Sequence, residues 1–94
     1  MSITQTAEIV VRKYGGSSIA TPEKVIAIAD RIAATRSALP MLVVVVSAMG
    51  KTTDDLVALA HQVTRQPEGR EMDLLLASGE QISVSLLGLA LQDR

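Results

Sequence analysis

The period of the hydrophobic positions changes along the chain, and each change marks an element. Ile9 to Tyr14 is a short β-branched run, and Met41 to Val46 is a continuous apolar one, of the kind found in strands covered on both faces. Both read as strands of a parallel sheet. Between them, Thr21-Pro22-Glu23 supplies an N-cap, a proline suited to the first helical position and an acid for the first turn. Val25, Ile28, Ala29 and Ile32 then recur on one helical face. Strand, helix and strand make a βαβ crossover, for which a right-handed parallel connection is the rule. After the second strand, Ser47 to Thr53 reads as a loop. Thr52 or Thr53 can cap a helix whose apolar face uses Leu56, Leu59, Ala60 and Val63, with Asp54 and Asp55 in its first turn. Gln66-Pro67-Glu68-Gly69 breaks that helix. Two more helical segments follow, Glu71 to Ala77 and then Gly79 to Leu91, the second with Ile82, Leu86, Leu89 and Ala90 on one face.

The resulting order is β-α-β-α-α-α, an α/β chain. Residues 1–8 form an N-terminal tail and residues 9–94 one unit. A two-stranded parallel sheet leaves edges unpaired and helix faces without a partner layer, so further strands are expected from beyond Arg94. Composition narrows this picture. Apolar residues make up 48% of 94, enough for a core, but Tyr14 is the single aromatic and burial falls to aliphatic side chains. Met41, Met49 and Met72 read as filler for such a core. Nine basic and ten acidic residues leave the charge near zero, with no Lys/Arg run to follow a phosphate backbone or an anionic membrane. Neither nucleic acid nor membrane is expected as a partner. The absence of cysteine removes disulfides, thiolate metal sites and thiol nucleophiles, and His61 alone builds no imidazole cluster. No metal site is expected, and His61 reads as partly buried packing. Met1 to Glu8 lacks the charge and apolar pattern of a signal peptide, and Met41 to Val46 is too short to span a bilayer, so the chain is expected to be soluble.

In an open parallel sheet, ligands bind outside the carboxyl ends of the strands. Two loops fall there. In Lys13-Tyr14-Gly15-Gly16-Ser17-Ser18, paired glycines permit close backbone approach, their N–H groups can face an anion, and the lysine adds charge. Ser47 to Thr53 offers hydroxyls and amide donors at a helix start. Each residue also has a plainer reading: a strand-end lysine is usually solvated, a Gly-Gly pair is usually a turn, and Ser47 and the threonines serve as caps. Lys51 is read the same way. Gly50-Lys51-Thr52 resembles the end of a P-loop, but the glycine that motif needs five positions earlier is Val45, inside the strand. Glu71 and Asp73 are two apart and face different directions on a helix, so with Arg70 they read as surface or inter-helix pairing. Glu80 is either a helix-start charge or a receptor for a cationic group.

Taken together, Lys13 to Ser18, then Val44-Val45-Val46-Ser47-Ala48-Met49-Gly50 with Thr52 to Leu56, then Arg70-Glu71-Met72-Asp73 and Gly79-Glu80-Gln81-Ile82-Ser83 resemble aspartate kinases. Other enzymes of the amino acid kinase fold share the opening block but not the later ones. The resemblance implies an amino-acid-kinase-like three-layer sandwich, of which this chain is the N-terminal portion, without the nucleotide-binding half or ACT domains. It implies transfer of the ATP γ-phosphoryl group to the β-carboxylate of L-aspartate, the entry to lysine, threonine and methionine synthesis. Lys13, with Tyr14, Gly15, Gly16 and Ser17, would handle the ATP phosphates, Lys13 being catalytic. Ser47 and Thr53 would bind aspartate, and Glu80 its ammonium group. Mg²⁺, a cytoplasmic location and a homo-oligomeric full-length enzyme are implied as well. The 94-residue chain alone is expected to be inactive. An aspartate-binding module without catalysis, and an assembly subunit docking through Ile82, Leu86 and Leu89, are the competing expectations.

Overall fold

The computed structural model describes residues 8–38 and 41–94. Most of the expected tail, residues 1–7, lies outside them. Two strands, β1 (Val10–Tyr14) and β2 (Leu42–Val46), pair in parallel, with Val10 opposite Leu42 and Tyr14 opposite Val46. Helix α1 (Pro22–Thr35) connects them, and helices α2 (Thr52–Val63) and α3 (Gly69–Gln92) follow. The α/β reading and the parallel pairing hold. A short 3₁₀ turn, Gly16–Ile19, precedes α1 and had no signal in the hydrophobic pattern.

Helix α1 forms where its signals lie. The Thr21 hydroxyl accepts the Lys24 N–H at 3.3 Å, Pro22 stands at the first helical position, and Val25, Ile28, Ala29 and Ile32 are the buried face. With Ile19 and Leu87 they form the core, against which Tyr14, Leu42, Val44, Val46 and Met49 pack. Ile19, on the unforeseen turn, is 1% exposed and as buried as any aliphatic residue of α1 except Ala29.

Both strands alternate half-buried and exposed positions, so one face of the sheet meets the core and the other stays open. Val11, Val43 and Val45 lie exposed on the open face, and Lys13 stands among them opposite Val45. The expectation of strands covered on both faces is therefore met on one side only, because the helices of the described chain supply one layer. Met41 is exposed rather than core filler, while Met49 does pack on the core.

The C-terminal third departs most from the pattern. The two expected segments are one helix of 24 residues running unbroken through Ser78 and Gly79. An interior glycine costs a helix about 1 kcal/mol relative to alanine, and here close packing around Gly79 accompanies it, as described below. The buried face of α3 is Gly79, Ser83 and Leu87, spaced four apart, whereas Ile82, Leu86 and Leu89 are exposed. Ser83 is buried without penalty because its hydroxyl donates to the Gly79 carbonyl. On α2 only Ala60 is buried, with Leu56 half-buried and Leu59 and Val63 exposed. His61 is exposed, not packed. By length and composition α3 could cross a bilayer, with mean hydropathy 1.6 over its best window, of which 17% is buried. No expected segment was long enough to raise that point. It packs on α1 and α2.

Candidate functional site

Parallel pairing brings the carboxyl ends of β1 and β2 side by side, and the two loops that leave them are stitched together by backbone hydrogen bonds. The Ser47 N–H donates to the Tyr14 carbonyl at 3.1 Å, and the Gly50 N–H donates to the Gly16 carbonyl at 2.9 Å. A Cβ on Gly16 would lie 2.9 Å from the Ala48 carbonyl oxygen and 3.2 Å from that of Gly50, so only glycine admits this approach without a backbone shift. Gly15, by contrast, has nothing within 4 Å of its would-be Cβ. The Lys24 ammonium, from the first turn of α1, donates to the Ser17 carbonyl at 2.9 Å and ties the glycine loop to the helix behind it.

Helix α2 starts directly from the second loop. The residue at its N-cap is Lys51, not Thr52 or Thr53, and no side chain caps it. The Thr52 N–H instead donates to the Met49 carbonyl, closing a turn, and the Asp55 N–H donates to the Lys51 carbonyl. Both threonines fall inside the helix, so the Thr53 hydroxyl is free of the capping duty its sequence position indicated. Asp54 and Asp55 do occupy the first turn.

The third block joins through α3. A Cβ on Gly79 would stand 3.1–3.2 Å from Thr52, Ala48 and Leu56, so α3 touches the second loop at the residue before Glu80. Gly15, Gly16, Ser17 and Ser47 thus lie on two joined loops, flanked by Tyr14 at the end of β1 and Thr53 in the first turn of α2, with Glu80 beside the contact with α3. Lys13, Thr53 and Glu80 are exposed and Ser47 is half-buried. Among the described residues, none of these four side chains makes a hydrogen bond or an ion pair. Lys13 stands on the open face of the sheet, away from the core that α1 and α3 cover. Sequence reasoning quoted Ala48 and Gly79 within the resemblance blocks and gave neither a role of its own.

Other candidates fall away from this edge. Arg70, Glu71 and Asp73 are exposed, and the ion pair found among the described residues joins Arg94 to Asp30 instead. A concavity of about 510 Å³ lined by Ile32, Arg36, Leu42, Val44, Leu91 and Arg94 opens at the amino end of β2, away from the two loops. Among the described residues no group of three or more His, Cys, Asp or Glu side chains could hold a metal ion by itself.

The family model for the amino acid kinase family matches residues 8–94. The chain belongs to the amino acid kinase family. Within that family it is similar to aspartokinases. It is 50% identical to aspartokinase 2 of Bacillus subtilis over 86 residues, 92% of this chain and 21% of that protein. It is 54% identical to the aspartokinase of Mycolicibacterium smegmatis over 84 residues, 89% of this chain and 20% of that one. The crystal structure of aspartate kinase from Synechocystis superposes with a TM-score of 0.86 at 53% identity, over 92% of this chain and 15% of that chain. This amino acid kinase chain therefore spans about a fifth of the length of the curated relatives it matches. Their similarity agrees with the aspartate kinase resemblance of the sequence blocks, and the α/β fold agrees with the amino-acid-kinase-like expectation for the N-terminal portion matched.

Proposed function

We propose that this chain carries one side of an aspartate kinase active site, acting in the cytoplasm within a homo-oligomeric enzyme. The supporting observation is the junction of two glycine- and hydroxyl-bearing loops at the carboxyl edge of a parallel sheet, in a chain about half identical to aspartokinases. ATP is the phosphoryl donor and the β-carboxylate of L-aspartate the acceptor. A carboxylate oxygen forms the new bond to the γ-phosphorus, the bond to the bridging oxygen of ADP breaks, and an acyl phosphate results.

The chemistry asks little of acid or base groups, because a carboxylate is already ionised at neutral pH. The difficulty is bringing an anion to a triphosphate, so rate enhancement rests on positioning and charge cancellation. Lys13 supplies the cation. Its place on the open face leaves the ammonium unpaired by any described side chain and available to phosphate. Tyr14, Gly15, Gly16 and Ser17 bring backbone close to the same group. Ser47, just past the end of β2, and Thr53, in the first turn of a helix with no side-chain cap, receive aspartate, and Glu80 receives its ammonium. Mg²⁺ belongs to the family chemistry, and no step here depends on it.

The test is a chimaera in which this chain replaces the matching 86-residue segment of the Bacillus subtilis aspartokinase 2. It is expected to form aspartyl phosphate, whereas the 94-residue chain alone is expected to form none. In the chimaera, Lys13→Ala lowers kcat by about 100-fold or more with little effect on the aspartate KM, as loss of a transition-state donor does. An unchanged kcat sinks that role. Glu80→Ala acts chiefly through the aspartate KM, and a near-normal KM counts against the ammonium assignment.

A further inference from the structure

Helix α3 has two interior glycines, and they differ. A Cβ on Gly88 would meet nothing within 4 Å, whereas one on Gly79 would stand 3.1 Å from Thr52 Cγ2, 3.2 Å from Ala48 Cβ and 3.2 Å from Leu56 Cδ1. Carbon atoms rest about 3.5–4.0 Å apart at optimum, so all three neighbours would have to retreat. Leu56 can turn its side chain. Ala48 cannot, because its methyl is fixed to the loop backbone, and its carbonyl oxygen already faces Gly16 on the other side at a spacing that excludes a Cβ there. Ala48 is accordingly 4% exposed, clamped between a glycine of the first loop and a glycine of α3. Its neighbour in sequence is Ser47, and the neighbour of Thr52 is Thr53.

We infer that Gly79 is a positioning residue: its missing side chain lets α3 close on the Ser47–Thr53 loop and fixes the separation between the loop hydroxyls and the carboxylate of Glu80. An amino acid presents a carboxylate and an ammonium at a set distance, and a pocket whose two halves come from different elements recognises it only if those elements keep their spacing. Gly79 sets that spacing, and it acts through Ala48 and Thr52 without touching substrate. The inference rests on the aspartate-site reading above and adds a residue that reading does not contain.

The experiment uses the same chimaera for kinetics and the 94-residue chain for amide NMR. Gly79→Ala is expected to raise the aspartate KM by about 5-fold or more, while the ATP KM and kcat move by less than about 2-fold, since sub-ångström misplacement acts on the group misplaced. Adding Ala48→Gly, which removes the methyl that cannot yield, is expected to restore the aspartate KM, and Gly88→Ala is expected to leave it unchanged. In the isolated chain, Gly79→Ala shifts the amide resonances of Ala48, Thr52 and Thr53, and Ala48→Gly returns those of the two threonines. A normal aspartate KM in Gly79→Ala while Glu80→Ala impairs binding overturns the inference and leaves the site reading standing. A uniform loss in all parameters, or loss of folding, that Ala48→Gly does not repair also overturns it, because the role is then general packing. A silent Glu80→Ala overturns the ammonium assignment and, with it, the inference, because the separation then has no carboxylate to set. An inactive chimaera counts against the site reading, and the amide shifts with their repair then decide the spacing role.

Discussion

The two faces of the β1–β2 pair are built from the same ten residues and behave differently. On the covered face, Tyr14, Leu42, Val44 and Val46 pack on a core of aliphatic side chains from α1, α3 and the 3₁₀ turn. On the open face, Val11, Val43 and Val45 lie bare around one cation, Lys13. The covered face holds this chain together. The open face contributes little to that and presents the group that the proposed chemistry uses. An apolar strip interrupted by a lysine is an arrangement that stability alone does not call for. The outer side of α3, with Leu74, Ile82, Val84 and Leu89 exposed, resembles the open face in being apolar and uncovered.

The contrast can be broken most directly at Ile28, which is 3% exposed. Ile28→Ala is expected to lower stability by about 2–5 kcal/mol through lost burial and a residual cavity, measured by urea unfolding followed by circular dichroism. A loss no greater than that of an open-face change would mean that the covered face is not the stabilising one. Gly16→Ala comes next, at about 1–3 kcal/mol, because the added methyl meets carbonyl oxygens of the neighbouring loop rather than a side chain that can rotate. Its amide spectrum should change around Ala48 and Gly50, and an unchanged spectrum would mean that the two loops are not locked together. Thr21→Ala should cost about 1 kcal/mol through the lost N-cap of α1, visible as a lower urea midpoint with unchanged slope. Val45→Thr on the open face should fall within about 0.5 kcal/mol of the parent in the same assay. A loss like that of Ile28→Ala would show that the open face is buried in solution.

How much could be read beforehand follows the same division. The strands and α1 were legible because their signals are local: β-branched runs, Thr21 as cap, Pro22 in the first turn, and a helical period from Val25 to Ile32. The two loops were legible because Gly15, Gly16 and Ser47 fall at strand ends, where parallel sheets place ligands. The continuity of α3 was not, since Ser78-Gly79 looks like a break unless one knows that Ala48 and Thr52 press against it. Its buried side was misread for a related reason. Ile82, Leu86 and Leu89 are the larger side chains, but Gly79 and Ser83 are small enough for close approach, and proximity decided which side faces inward. The start of α2 was placed one or two residues too late, at Thr52 or Thr53, because the turn closed by the Thr52 N–H and the Met49 carbonyl makes Lys51 the boundary residue.

The in-register pairing of Lys13 with Val45 also limits how this segment can change length over evolution. A strand repeats every two residues, so deleting Arg12 while keeping Tyr14 paired would flip what precedes it, turning Val11 inward and sending Val10 to the open face. Deleting one between Lys13 and the glycines would instead pull the lysine to the covered side, into an aliphatic core with no counter-charge. Length in β1 is therefore quantised. Descendants of this sequence can lengthen or shorten their surface turns by single residues, but the distance from Lys13 to Gly15 is expected to stay constant in any that keep a cation on the open face.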